Sequence, residues 1–249
     1  MKKLSRVKDR LLFLISVYTM GVFLELSFYF LRMLGRIKIQ NWKGFPKNNH
    51  NPENNGLVVV SNHPSLLDPL LVSALFFPRP FLHPFKASPW NIAEERNYKK
   101  FFWRWAWRVI IFVKRGNKRS ELRAFIKAQK VVQSGKSLVF FPEGRRTFKA
   151  GDDFLESPKG ERIANLKGGV GLLVARTKAP VLIVWIQGSD HFLPNTIWPE
   201  TGKSRFPFPR FWRRITIKIG PLVDFSKTKE PEEITNSIAR ELLKLADEN

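Results

Sequence analysis

The 249-residue sequence predicts an α/β fold with a mainly parallel central sheet flanked by helices, preceded by an N-terminal hydrophobic helical membrane anchor. Three observations carry this prediction. Short apolar runs rich in β-branched residues recur between turn residues, as strands buried on both faces do. Helical periodicity falls between those runs, which is the alternation of a layered α/β protein. Near the amino terminus, Leu11 to Leu34 carries only Glu25 and Arg32 as charges.

The apolar segment comes first along the chain. It exceeds the roughly 20 residues a helix needs to cross a bilayer. A membrane span, a helix or bent helix pair within one leaflet, and an apolar helix packed on the body all fit. Its length, and the lack of a small-x-small cleavage site, argue against a removed signal peptide. Glu25 would cost roughly 2.5 to 3.5 kcal/mol near the centre of a span. Both flanks are basic: Lys2, Lys3, Arg6, Lys8 and Arg10 precede the run, and Arg32, Arg36 and Lys38 close it. Orientation across a membrane needs an asymmetry of cations. The symmetry here favours a one-leaflet anchor at the cytoplasmic face of the inner membrane. Residues 1–38 are read as the anchoring segment and 39–249 as one domain, an ordinary size for a single core.

Asn48 to Asn55 reads as a loop from its Asn and Pro content. Strands are predicted at Leu57–Val60, Val109–Val113, Leu138–Phe141, Val181–Ile186 and Ile215–Ile219, each bounded by polar or turn residues. Helices are predicted near 70–77, 120–133, 161–177 and 231–247. The last opens on Pro231 and sets Ile234, Ile238, Leu242 and Leu245 on one face. From Lys99 to Arg108, Lys100, Arg104 and Arg108 fall four apart, as do Trp103 and Trp107, so a helix there carries a basic stripe beside an indole stripe. Pro/Phe clusters at 76–81 and 206–212 repeat the pairing of aromatics with arginine. Each cluster alone reads equally as core aromatics beside solvated cations. Together with the apolar N-terminus they point to an interfacial surface.

Charge narrows the partners. Forty-three Lys and Arg against 21 Asp and Glu leave a net +22. Such a surface attracts anionic lipids, nucleic acid or an acidic carrier protein. The absence of cysteine excludes disulfides, thiol nucleophiles and thiolate metal sites.

Two motifs carry the chemistry. Asn62-His63-Pro64-Ser65-Leu66-Leu67-Asp68 follows the Leu57–Val60 run directly. A lone histidine is more often structural than catalytic, but here Asp68 lies five positions on and Pro64 and Pro69 restrict the backbone. Asp68 reaching one ring nitrogen would fix the tautomer and leave the other as a general base toward a substrate hydroxyl. Phe141-Pro142-Glu143-Gly144-Arg145-Arg146-Thr147 follows the Leu138 run. Its bland reading is a polar turn with solvated arginines. Its functional reading is a phosphate site, because guanidinium groups match phosphate oxygens in pairs and glycine permits close approach. Glu143 would orient an arginine, and Arg115 and Lys86 would add cations. Both motifs sit at strand carboxyl ends, where α/β sites form.

The two motifs resemble the Asn-His-x-x-x-x-Asp and Phe-Pro-Glu-Gly-Thr-Arg-Ser blocks of the 1-acylglycerol-3-phosphate acyltransferase family. Ile111–Arg115, Lys167-Gly168 and Ala179–Val184 resemble its remaining blocks, and the likeness covers roughly residues 40 to 220. The resemblance implies an enzyme that makes phosphatidic acid from lysophosphatidic acid, with acyl-CoA or acyl carrier protein as co-substrate and no cofactor or metal. It implies His63 as general base and Asp68 as its partner. Arg115, Glu143, Gly144 and Arg146 would form the acceptor-phosphate site, with Lys86 a looser match. Arg145 stands where the family usually has threonine, Thr147 where it has serine, and Ile183 where a second proline is common. The extra arginine leaves another lysophospholipid or a lyso-aminolipid open as acceptor.

Rival classes fit less well. A nucleic-acid-binding protein would explain the charge but not the apolar segment, and no RNA-recognition or zinc-finger signature is present. A hydrolase built on Ser189-Asp190-His191 fails because adjacent side chains point apart. A membrane-remodelling protein has no use for both motifs.

Overall fold

The computed structural model describes residues 2–46, 56–95, 108–195 and 208–248. The expected loop at 48–55 and most of the 99–108 stripe lie outside these residues, as does the start of the 206–212 cluster.

The chain opens with α1 (Lys2–Ser16), a single π turn at Val17–Gly21, and α2 (Val22–Met33). Within this continuous helix, Arg10–Met33 is long and apolar enough to cross a membrane. One face packs along the body: Phe13 meets Phe85 with ring centroids 5.5 Å apart, Tyr18 meets Phe81 at 5.2 Å, and Tyr29 meets Phe77 at 5.8 Å. Phe28 is buried in the core. The other face leaves Leu11, Ile15, Phe23, Leu26, Phe30 and Met33 exposed.

Next come β1 (Ile37–Gln40), β2 (Val58–Ser61), α3 (Asp68–Ala74), and two single-turn helices, α4 (Arg79–Leu82) and α5 (Pro84–Ala87). The 38/39 boundary expected from the sequence falls inside β1. The middle of the chain forms β3 (Trp90–Glu94), β4 (Ile110–Val113), α6 (Lys118–Gln133) and β5 (Leu138–Phe140). Asn117 caps α6, its side-chain oxygen accepting from the Ser120 amide at 2.9 Å. A small hairpin, β6 (Phe154–Glu156) with β7 (Arg162–Ala164), precedes α7 (Gly169–Thr177). The chain then runs through β8 (Val181–Gln187), the short α8 (Ser189–Phe192), β9 (Ile215–Val223) and α9 (Pro231–Asp247).

Seven strands form the main sheet in the order β1-β9-β8-β2-β5-β3-β4. Every pairing is parallel except β8 with β9. This is the mainly parallel, helix-flanked sheet the sequence predicts. Central β2 has Val58, Val59 and Val60 with no exposed surface, because both faces are covered. Alternation divides β8 between two cores. Val181, Ile183 and Trp185 join Leu173, Ile238 and Leu242 on one face, and Leu182, Val184 and Ile186 join Phe28, Val72 and Phe76 on the other. A Cβ on Gly171 would lie 1.9 Å from the Pro231 carbonyl oxygen, so only glycine lets α7 approach α9 this closely. Buried Lys218 on β9 donates to the carbonyl oxygens of Ala246 (2.6 Å) and Glu248, satisfying the end of α9.

The structure corrects one helix. The segment from 161 does not begin a helix but forms β7, paired antiparallel through Ile163 to Leu155. Consecutive glycines at 168 and 169 disfavour helix before this point, so α7 starts only at Gly169. Strands β1, β3 and β6 were also not expected. Val58 pairs with both Leu138 and Val181, so β2, β5 and β8 start level and point their carboxyl ends to the same edge of the sheet. The candidate site forms on that edge.

Candidate active site

Asn62 continues the β2–β8 ladder with its side chain. Its amide nitrogen donates to the Ile186 carbonyl and its oxygen accepts the Ile186 N–H, both at 2.8 Å. The chain is thus held firmly just before His63. The imidazole lies against the Phe141 ring, centroids 4.5 Å apart. Its Nδ1 is 2.9 Å from Asp68 Oδ2. Asp68 is fully buried at the start of α3. Its Oδ2 also accepts the Ser65 amide at 2.6 Å, and its Oδ1 accepts the Ser189 hydroxyl at 2.6 Å. Burial pushes the Asp68 carboxyl above the usual carboxylate range, opposed by the bonds from His63, Ser189 and Ser65. The Ser65 amide is therefore occupied, and the Leu67 amide turns to Ser65 Oγ at 3.4 Å.

Glu143 is 1 % exposed. Its Oε1 accepts the His63 amide at 2.6 Å and the Thr147 hydroxyl at 3.0 Å, and its Oε2 accepts the Ala164 amide at 2.9 Å. Burial raises its pKa, with these donors pulling the other way. The Thr147 amide in turn donates to the His63 carbonyl at 2.9 Å. Both backbone groups of His63 are thus tied to the 141–147 loop. Gly144 turns that loop at φ +67°, a conformation that side-chain-bearing residues rarely adopt.

Arg146 is 9 % exposed. Its Nη1 donates to Asn195 Oδ1 at 2.7 Å, and Asn195 Nδ2 donates to the Pro64 carbonyl at 2.6 Å. Its guanidinium also lies over the Phe148 ring at 4.8 Å. Burial lowers the Arg146 pKa, opposed by the Asp68 charge; a guanidinium stays protonated regardless.

His63, Asp68, Glu143, Gly144 and Arg146 therefore converge. The other three candidates do not join them. Arg145 turns to exposed Asp153, with Nη2 2.6 Å from Oδ2. Arg115 follows β4 and pairs with Glu94 Oε2 at 3.6 Å. Three strand steps separate β4 from β2, a lateral offset of about 14 Å at ordinary strand spacing. Lys86 lies exposed on α5, four residues before the amino end of β3, whereas His63 follows the carboxyl end of β2. Sequence proximity to a strand carried no information on how many strands separate Arg115 from His63, nor proximity to aromatics on the edge at which Lys86 sits.

Asn62, Ser189 and Asn195 were not singled out for these roles. Ser189 had entered only as a rejected nucleophile. The structure buries it at the end of β8 and aims it at Asp68, while His191 on the same turn is exposed. The available signal was position: each of the three follows a predicted strand on the same edge as His63.

A mainly parallel α/β sheet thus brings a histidine–aspartate pair and an arginine-bearing loop together at its carboxyl edge. A model of the acyltransferase family matches residues 36–187, more than half the chain and both loops, and the chain belongs to that family. The 1-acyl-sn-glycerol-3-phosphate acyltransferase of Borreliella burgdorferi is 28% identical over 225 residues, covering 86% of this chain and 78% of that protein. The crystal structure of the 1-acyl-sn-glycerophosphate (LPA) acyltransferase, PlsC, from Thermotoga maritima shares the fold. Its TM-score is 0.56 at 23% identity, over 100% of this chain and 99% of that one.

Proposed function

We propose that this acyltransferase moves a fatty acyl group from acyl-CoA or acyl carrier protein to the free hydroxyl of lysophosphatidic acid, giving phosphatidic acid. The observation that carries the reading is the 2.9 Å contact of His63 Nδ1 with buried Asp68, one loop away from Arg146. With Nδ1 donating to Asp68, Nε2 is the nitrogen left for the substrate. It takes the hydroxyl proton as the oxygen attacks the thioester carbonyl. The C–S bond then breaks, and the imidazolium returns the proton to the departing thiolate. The name of the Borreliella burgdorferi relative supports the acceptor.

Arg146 is the cation best set to hold the acceptor phosphate, since Asn195 ties it to the carbonyl beside His63. Gly144 leaves the space that the Lys167 side chain fills, and Arg145, paired with Asp153, adds to the charge on the outer side of the loop only. Glu143 serves by holding the His63 backbone, because both its oxygens already accept protein donors. Arg115 and Lys86 contribute to the cationic surface that draws anionic substrates and donors. The α1–α2 helix attaches the enzyme within one leaflet at the cytoplasmic face of the inner membrane, with its exposed apolar face in lipid.

The test is acyl transfer by purified protein in detergent, with labelled lysophosphatidic acid, both donors, and His63→Ala alongside. Phosphatidic acid formed by the unmodified protein and not by the variant is the expected result. Retained transfer by His63→Ala would remove His63 from the mechanism. Product only with other lysolipids would move the acceptor assignment, and no product with any lysolipid would overturn the enzyme reading.

A further inference from the structure

A second cationic site lies away from the catalytic edge. A cleft of about 590 Å³ opens where α1, α5 and the amino ends of β3 and β4 meet, lined by Arg10, Arg108 and Lys136 among Phe13, Phe85 and Trp90. Among the described residues, no Asp or Glu lines it. The Arg108 guanidinium stands 5.3 Å from the Phe85 ring centroid, and Lys136 Nζ stands 5.5 Å from that of Trp90. Lys127 Nζ lies 5.1 Å from the same indole and adds a fourth charge behind it. Cations gathered in one cleft repel one another, and an anion relieves that repulsion.

The position of Arg10 says which anion. It is the last cation before the apolar stretch, and Leu11 beside it is already exposed. In a helix whose apolar face lies in lipid, Arg10 falls at the level of the phosphates. Arg108 and Lys136 bring the body's cations to that level. The aromatic walls suit a ligand that is anionic at one end and apolar at the other. The cleft is also separate from the catalytic residues. Trp90 and Val58 both pair with Leu138 at the start of β5, and His63 lies five residues beyond Val58, about 16 Å along the strands.

We propose that this cleft binds the phosphate headgroup of an anionic phospholipid, as a non-catalytic site that seats the enzyme on the membrane. The proposal rests on the membrane attachment argued above. Flotation on neutral phosphatidylcholine vesicles tests that attachment separately, because it depends on the apolar helix and not on the cleft.

The experiment counts phosphatidylglycerol molecules retained by the full-length protein in native mass spectra from detergent, with phosphatidylcholine as the neutral comparison. Arg108→Gln/Lys136→Gln should lower phosphatidylglycerol association roughly tenfold or more. Arg108→Lys/Lys136→Arg, which keeps both charges, should retain it. Lys227→Gln/Lys229→Gln, which removes two exposed charges from the loop before α9, should leave it unchanged, and acyl transfer in detergent should survive in all three. Equal loss in the Lys227/Lys229 variant would overturn the proposal in favour of generalised charge. No loss in the Arg108→Gln/Lys136→Gln variant would overturn it outright. Displacement of the lipid by millimolar inorganic phosphate or CoA would also overturn it, by assigning the cleft to a soluble phosphate.

Discussion

Ser189 Oγ donates to Asp68 Oδ1 at 2.6 Å, joining residues 121 positions apart in sequence. The bond completes the shell around a fully buried carboxylate whose other oxygen serves His63 and Ser65. Asp68 supports a basic His63 only while ionised, and burial already raises its pKa. Removing the hydroxyl takes away a donor that favours the ionised form, so the pKa rises further. Ser189→Ala should therefore move the acid limb of the kcat profile upward by about one pH unit, the scale of one charge-assisted hydrogen bond. Ser189→Thr should restore it. Steady-state rates across pH check this, and an unmoved acid limb would reduce Ser189 to a packing residue.

Glu143 distinguishes holding the site from binding the substrate. Replacing it with Gln leaves one acceptor oxygen for three donors and turns an NH₂ group toward N–H or O–H. At least one buried donor then goes unpaired, which costs about 1 to 3 kcal/mol. Glu143→Gln should lower the midpoint of chemical denaturation and reduce kcat, while leaving the KM for the acceptor nearly unchanged. A KM rise at constant kcat would mean that Glu143 acts on the phosphate site instead.

What the sequence made legible follows burial. Strands β2, β5 and β8 lie inside the sheet and read as unbroken apolar runs. Strand β1 is an edge strand with Lys38 exposed, and β3 is half-buried along its length, so neither carries that pattern. The β7 segment was mistaken for helix because Ile163 and Ala164 are apolar and adjoin the start of α7. In the site, His63 and Asp68 are five residues apart, so local spacing sufficed. The partners Asn62–Ile186, Arg146–Asn195 and Ser189–Asp68 are long-range. One sequence carries no record of which distant loop supplies a third group. The same limit scattered the arginines: Arg115 and Arg145 share a residue type with Arg146, but Glu94 and Asp153 claim them.

Arg146 is held by geometry as well as charge. Its planar group bonds Asn195 and lies over Phe148, neither of which an ammonium reproduces in the same way. Arg146→Lys should raise the KM for the phosphate-bearing acceptor by roughly tenfold, the worth of about one charge-assisted bond. Asn195→Ala removes the bonds to Arg146 and to the Pro64 carbonyl, so kcat should fall together with acceptor affinity. Acceptor-dependent kinetics at fixed donor concentration measure both. An Arg146→Lys enzyme with unchanged KM would move phosphate recognition to another cation.

The packing of α1 and α2 on the body bears on the one-leaflet anchor proposed above. Contacts with the body run from Phe13 to Tyr29, about 24 Å of helix at 1.5 Å per residue. A perpendicular span would draw most of that length, and the sheet domain packed on it, into a hydrocarbon layer about 30 Å thick. Placing the charged surface of the domain in that layer would be costly, whereas a helix lying along the interface keeps the domain in water, which is the anchor proposed above. Both helix ends should then face the same side. The chain has no cysteine, so Ser5→Cys and Lys38→Cys are clean single probes. Expressed in cells and treated with a membrane-impermeant maleimide, both should label only after the cytoplasmic side is opened. Labelling of one from outside intact spheroplasts, with the other still protected, would establish a span and place the two flanking basic clusters on opposite sides of the membrane.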